Sequence, residues 1–446
     1  MKYPGAILMG AKLRLLPPSI PYHFFLAAVA FHLAMWGLLA LAAWDLDGDL
    51  AVFRGGPGPA LAAVHAATLG VLAMTAMGAA FQILPVATGQ AHRALWPCRA
   101  TFWLFVPGAA VLVAGMALGS VPAMVLGAVP ATLGLLLFAA IFADLLRRGE
   151  GLRAFALHAW TALASLLALS ALGLALVGDF QWGILAGLGI GHGGVALAHL
   201  VLALYGFMGM LAVGFAHILV PMFALANLAP GLWVRVAYGA LVGGLVLAAA
   251  ASLAPAGPAA TAGLVAAAVL GLAGAGGHVY LMWSALRTGM RKRLGLSFVL
   301  VKVAWLLLLA SFPLGALAAL DRLGPAGPVL FGYVILFGWL LTFLMGILQR
   351  IIPFLAAMNA SSTGAPPPRL SQLAEQQPLV IHAVCHFAGL AGIGAGIVLG
   401  QGHLVWLGAS LGGIGALAFG WFALDVYRRM GRGGGKPTTA RTEPAT

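Results

Sequence analysis

The chain has 446 residues, of which 62% are hydrophobic and only 7% charged, with a formal net charge of +13. Long apolar runs at that composition exclude a soluble globular protein and leave a polytopic membrane protein. The positive charge gathers at the ends of those runs, where anionic lipid accounts for it, so nucleic acid is not expected as a partner.

A spanning helix needs about 20 mostly apolar residues. Twelve such runs are predicted, centred near Phe31, Leu72, Leu112, Leu135, Leu166, Met208, Leu245, Leu270, Leu307, Leu344, Gly392 and Gly412. The first has no short apolar core with a small-residue cleavage site before it and reads as an uncleaved anchor. With the N-terminus in the cytoplasm, Lys2, Lys12, Arg14, Arg93, Arg99, Arg147, Arg148, Arg153, Arg235, Arg287, Arg291, Lys292, Arg293, Arg350 and Arg369 fall on one side. The other side holds Arg54 and Arg322 among five aspartates. The positive-inside rule then places both termini in the cytoplasm. Richness in Ala, Leu, Gly and Arg points to the inner membrane of a high-GC bacterium. Cys98 and Cys385 do not make a disulfide framework. The polar segment from Ser361 to Pro378 is expected to be irregular. The expected organisation is one twelve-helix transmembrane domain over 1-430 and a disordered cytoplasmic tail over 431-446.

One spacing occurs three times: two glycines eight residues apart, then a proline seven residues later. It is carried by Gly70, Gly78 and Pro85, by Gly206, Gly214 and Pro221, and by Gly338, Gly346 and Pro353. The copies fall on helices two, six and ten and predict three pseudo-threefold four-helix units, 11-12-1-2, 3-4-5-6 and 7-8-9-10. Glycine at these positions lets a neighbouring helix or a flat ligand come close to the backbone. Each proline is expected to kink or end its helix.

Ionisable groups inside a bilayer are costly and mark functional candidates, and here nearly all are histidines. His65 lies in the outer third of helix two. His199 and His192 lie in the outer part of helix six, and Tyr333 stands on helix ten at the register of His65. Imidazole binds haem iron or copper well, and the aligned glycines Gly70, Gly206 and Gly338 leave room for a porphyrin. His382 and His386, one turn apart, read as half of a metal site. A second tier comprises His23, His32, His158, His217 and His278. No carboxylate lies in the middle of a helix and Lys302 is the only charge well inside a span, so proton pumping is not expected.

Twelve helices in three four-helix units, with His65 in the outer part of helix two, resemble subunit I of the haem-copper oxidase superfamily. The likeness is closer to its oxidase-like side branches, including the NnrS-type haem- and copper-containing membrane proteins linked to nitric oxide. The resemblance implies a b-type haem, with copper as a second cofactor, and His65 as a haem ligand. His199 then matches the family's helix-six copper ligand. It also implies a respiratory electron donor or partner subunit, and redox chemistry or handling of nitric oxide or oxygen. Phe331 and Tyr333 stand where the family has helix-ten histidines, and helix seven has none, so an oxygen-reducing centre is not expected. The rival readings are a degenerate scaffold or assembly subunit of a respiratory complex, and a solute or metal transporter.

Overall fold

The computed structural model describes residues 16–45, 50, 53–149, 152–227, 231–362 and 373–432. Of the predicted tail over 431–446, Gly431 and Arg432 continue the last helix and the rest lies outside the described residues; of the segment from Ser361 to Pro378 expected to be irregular, Ser361, Ser362 and Gln376 to Pro378 are helical and residues 363–372 lie outside the described residues. Among the described residues the fold is all-helical, and twelve helices are long and apolar enough to cross a membrane. They are α1 (Ser19–Trp44), α2 (Pro59–Thr88), α3 (Trp96–Ala117), α4 (Val121–Arg148), α5 (Arg153–Trp182) and α6 (His192–Ala224). The second half comprises α7 (Gly231–Leu253), α8 (Pro258–Thr288), α9 (Leu296–Ala319), α10 (Gly324–Met358), α11 (Gln376–Leu399) and α12 (Gly402–Met430). Every predicted centre falls within its helix. Exposed leucines, valines and tryptophans cover the outside of the bundle, as a chain in contact with lipid requires.

Burial separates the helices into two groups. The apolar windows of α2, α6 and α10 are 94%, 56% and 72% buried, and none of the other nine exceeds 50%. The three helices that carry the repeated motif therefore form the inside of the bundle. Around them, α3–α4, α7–α8 and α11–α12 pack as tight hairpins. Glycine makes that closeness possible: Gly127 faces the backbone of Leu112, Gly244 that of Gly271, and Gly408 that of Gly389. The remaining helices, α1, α5 and α9, each lie against the motif helix that follows them.

Each motif helix contains an eight-residue π-helical stretch, over Ala66–Ala73, Leu202–Gly209 and Val334–Leu341. All three begin nineteen residues before the motif proline. The prolines do not end their helices, as Pro85, Pro221 and Pro353 all sit inside continuous helix. α2 stops three residues later, where Gly89 takes the left-handed conformation at φ 72° that glycine adopts without strain.

The turn after α2 is tied to the end of α4. Asp144 accepts from Arg93 and from Arg148, at 3.0 and 2.6 Å, and Arg148 also reaches the carbonyl of Ala91. His92 donates from Nε2 to the carbonyl of Phe81 at 2.8 Å, with the Cys98 sulfur 3.8 Å from its Nδ1. This is the basic end of the bundle; the opposite, far end carries Arg54, Asp179, His192 and Asp321.

Two expected outcomes follow from this packing. A methyl group at Gly127 would meet the Leu112 backbone, so Gly127→Ala should cost about 1–3 kcal/mol in detergent thermal unfolding. Gly37, with nothing within 4 Å of its Cβ position, should accept alanine within about 0.5 kcal/mol. Burial pushes the His92 imidazole below its ordinary value of 6.5, so the unfolded chain binds the proton more tightly than the folded one. The stability it contributes is full above that value and is lost as pH falls below it. Acidification from about pH 7.5 to about pH 5.5 should therefore destabilise the wild type more than His92→Gln.

Candidate functional site

His65 stands at the end of the first turns of α2, immediately before the π-helical stretch. Its Nδ1 lies 3.0 Å from the carbonyl of Leu61, one turn earlier. His199, on α6, places Nδ1 2.9 Å from the carbonyl of Leu169 on α5. A carbonyl only accepts, so both rings carry their proton on Nδ1 and keep a lone pair on Nε2. Gly173 of α5 provides the seat for His199, since a Cβ there would lie 3.0 Å from the ring.

The two rings come together. Their centroids are 6.5 Å apart and their planes are inclined by 20°. Two imidazoles bound through Nε2 to opposite sides of one metal atom, with bonds of about 2.0 Å, have centroids about 6.2 Å apart. The two rings thus lie close enough to hold one group between them. Among the described residues no three His, Cys, Asp or Glu side chains converge to hold a metal ion. A bare ion would find two protein donors here, whereas a metal that brings its own equatorial nitrogens needs only two, one on each side.

The surroundings leave access to the pair. In the far half of α2, Leu61, Val64, His65, Thr68 and Leu69 retain accessible surface. Their spacing puts them on one helical face. The motif helices approach each other at the π-helical stretches, where α10 meets both α2 and α6.

The other predicted site residues are placed differently. The room left by Gly70, Gly206 and Gly338 is filled by Phe31, Ser165 and Leu307 of the preceding helices, so the three glycines serve helix packing. Tyr333 turns to α11, where its hydroxyl donates to the carbonyl of Leu390 at 2.6 Å. His192 is held by Asp179 at 2.7 Å and closes the connection between α5 and α6. His382 and His386 stack 5.5 Å apart, as their spacing predicts. They join His32 of α1 and lie on the side of α10 that Thr342 faces, with His386 Nε2 2.8 Å from the threonine hydroxyl.

The second-tier histidines of α5, α6 and α8 come together, and further polar and aromatic groupings were not singled out from the sequence. His158, His217 and His278 make ring contacts of 5.4 and 5.3 Å, and His158 also meets Tyr238. An apolar cavity of about 220 Å³ lies among α6 to α10, lined by Tyr205, Phe312, Phe331 and Trp339. Tyr205 stacks on Phe312 and shares a 2.7 Å hydrogen bond with Ser311. On α2 and α10, Thr75 and Gln82, and Thr342 and Gln349, are buried pairs seven residues apart. The signal for that last group was available, since both pairs flank the second glycine of the motif.

No family model matches the chain, and no curated protein matches it in sequence.

Proposed function

We propose that this is a haem-binding protein of the bacterial inner membrane, with His65 and His199 as the residues that would hold one b-type haem. The observation that carries the reading is the spacing of that pair, 6.5 Å between ring centroids and 20° between planes. The Nδ1 hydrogen bonds to Leu61 and Leu169 add to it, because outer partners of this kind fix the tautomer that leaves Nε2 to the metal. Bound there, haem supplies one-electron chemistry and a centre for nitric oxide or oxygen handling. The chain's own residues supply orientation: Leu61 and Leu169 hold the rings, and Gly173 seats one of them.

In this reading the twelve helices form three four-helix units, 11-12-1-2, 3-4-5-6 and 7-8-9-10, in the manner of haem-copper oxidase subunit I. The in-register π-helical stretches and the three glycine-packed hairpins support that arrangement. Both termini lie in the cytoplasm, electrons come from a respiratory donor or partner subunit, and the protein does not pump protons. Copper is a lesser element of the reading, since His192 is engaged by Asp179. A second reading, a scaffold that keeps the fold without chemistry, is favoured by the filling of the glycine positions and by the turn of Tyr333 to α11.

The test is a reduced-minus-oxidised spectrum of the detergent-purified protein, with iron and copper analysis. A Soret band is expected that His65→Ala and His199→Ala each abolish or change from six-coordinate to five-coordinate character. Gly173→Ala, which crowds the His199 ring, should shift the band and leave the His65 ligation in place. A colourless, iron-free protein that still assembles with a respiratory complex would replace this reading by the scaffold.

A further inference from the structure

A second group of histidines lies apart from His65 and His199 and shares no residue with the haem reading. His32 of α1 and His382 and His386 of α11 are each 1% exposed or less. Ring centroids are 6.3 Å apart for His32 and His382, and Trp36 lies 6.2 Å from His32 and 6.3 Å from His386. Among the described residues, one side-chain hydrogen bond reaches these three rings, from His386 Nε2 to Thr342.

Many buried polar atoms on α1, α2, α10 and α11 have no partner among the described residues. They are both ring nitrogens of His32 and of His382, Nδ1 of His386, the Trp36 indole nitrogen, the Thr75 hydroxyl, both amide atoms of Gln82 and Nε2 of Gln349. Each buried group left unpaired costs about 1–3 kcal/mol, and folded proteins leave few of them in any hundred residues. Lipid offers no relief, because acyl chains neither donate nor accept. Ten such atoms on α1, α2, α10 and α11 therefore require hydrogen-bonding partners that are not protein.

The geometry identifies the partner. The three imidazoles do not converge on a point that would hold a metal ion. A narrow cavity instead opens between His32 and Thr75, bounded by Val71, Met345 and Phe419, with about 10 Å³ of room for the centre of a water molecule. That volume is close to what one water needs, and the site offers the polar partners a water takes. Thr75 and Gln82 lie on one face of α2 two turns apart, about 10 Å along the axis, and Gln82 is three residues from Pro85 at the basic end. Thr342 and Gln349 repeat the same step on α10.

We propose that water binds this polar region, one molecule between His32 and Thr75 and others at Gln82, His382 and His386, supplied from the basic end. Water both donates and accepts, so it satisfies the imidazole, hydroxyl and amide groups alike, which a cation or an apolar molecule does not.

The experiment is water-to-imidazole magnetisation transfer by solid-state NMR on the full chain in lipid vesicles, with histidine labelled in nitrogen-15. The side chains of His32 and His382 are expected to receive magnetisation from water at a rate within roughly tenfold of the exposed His403. Thr75→Val, which removes the hydroxyl at nearly constant shape, should slow transfer to His32 and leave His403 unchanged, and Gln82→Leu should slow transfer to both His32 and His382. No detectable transfer to His32 and His382 under conditions where His403 shows it would overturn the proposal. So would wild-type transfer that neither variant alters, or a stoichiometric metal lost in His382→Ala.

Discussion

Helical phase governs this architecture. In an α-helix each residue advances about 100°, so positions seven apart return to nearly the same face and positions eight apart miss it by about 80°. The repeated glycines are eight apart, yet in each copy both face the same neighbour. Gly70 and Gly78 meet Phe31 and Phe24 of α1; Gly206 and Gly214 meet Ser165 and Phe155 of α5; Gly338 and Gly346 meet Leu307 and Leu300 of α9. The π-helical stretch around the first glycine of each pair resolves the mismatch. A π turn takes up one residue more than an α turn, so eight residues through it do the angular work of seven.

That single inserted residue has consequences along the whole of each motif helix. It lets the helix keep one close neighbour over two contact points, so the three motif helices are held firmly from outside by α1, α5 and α9. It also widens each helix at the level where α10 meets α2 and α6. Contact at that level divides the polar residues of the interior into two groups. One is His65 and His199 toward the far end. The other is the buried polar region with His32, Thr75, His382 and His386 on the opposite side of the π-helical level.

The twelve helices were legible because hydrophobic length is a one-dimensional property, and the glycine and proline spacing was legible for the same reason. The meaning of the eight-residue spacing was not, because reading a face from sequence assumes an unbroken α period. His65 and His199 were identified by type and depth, and the structure brings them together. Tyr333 has the register of His65 but a different direction: register fixes depth along a helix, whereas the Leu390 carbonyl and the stacked Phe337 fix where the ring points. His192 was read with His199 from their seven-residue spacing, and its bond to Asp179 depends on the fold of the 183–191 connection, which no helical pattern encodes. Thr75, Gln82, Thr342 and Gln349 were passed over because threonine and glutamine carry no charge, although a buried amide in a bilayer needs a partner as much as an ionisable group does.

The two histidine groups meet the same requirement in different ways. A ring nitrogen inside a bilayer must find a donor or an acceptor, and neither lipid nor a complete helix backbone has one to spare. His65 and His199 each use a carbonyl, one from the same helix and one from α5, and this leaves two neighbouring rings with one lone pair each. Neither ring can donate to the other, so the group that completes them must accept electron pairs from both sides. His32 and His382 use no carbonyl and keep both nitrogens uncommitted, beside a threonine, an indole and two amides in the same condition. A mixed set of donors and acceptors of that kind is completed by a molecule that is both. The difference between the sites is therefore set by hydrogen bonds at Nδ1, made in one case and absent in the other, rather than by the histidines themselves.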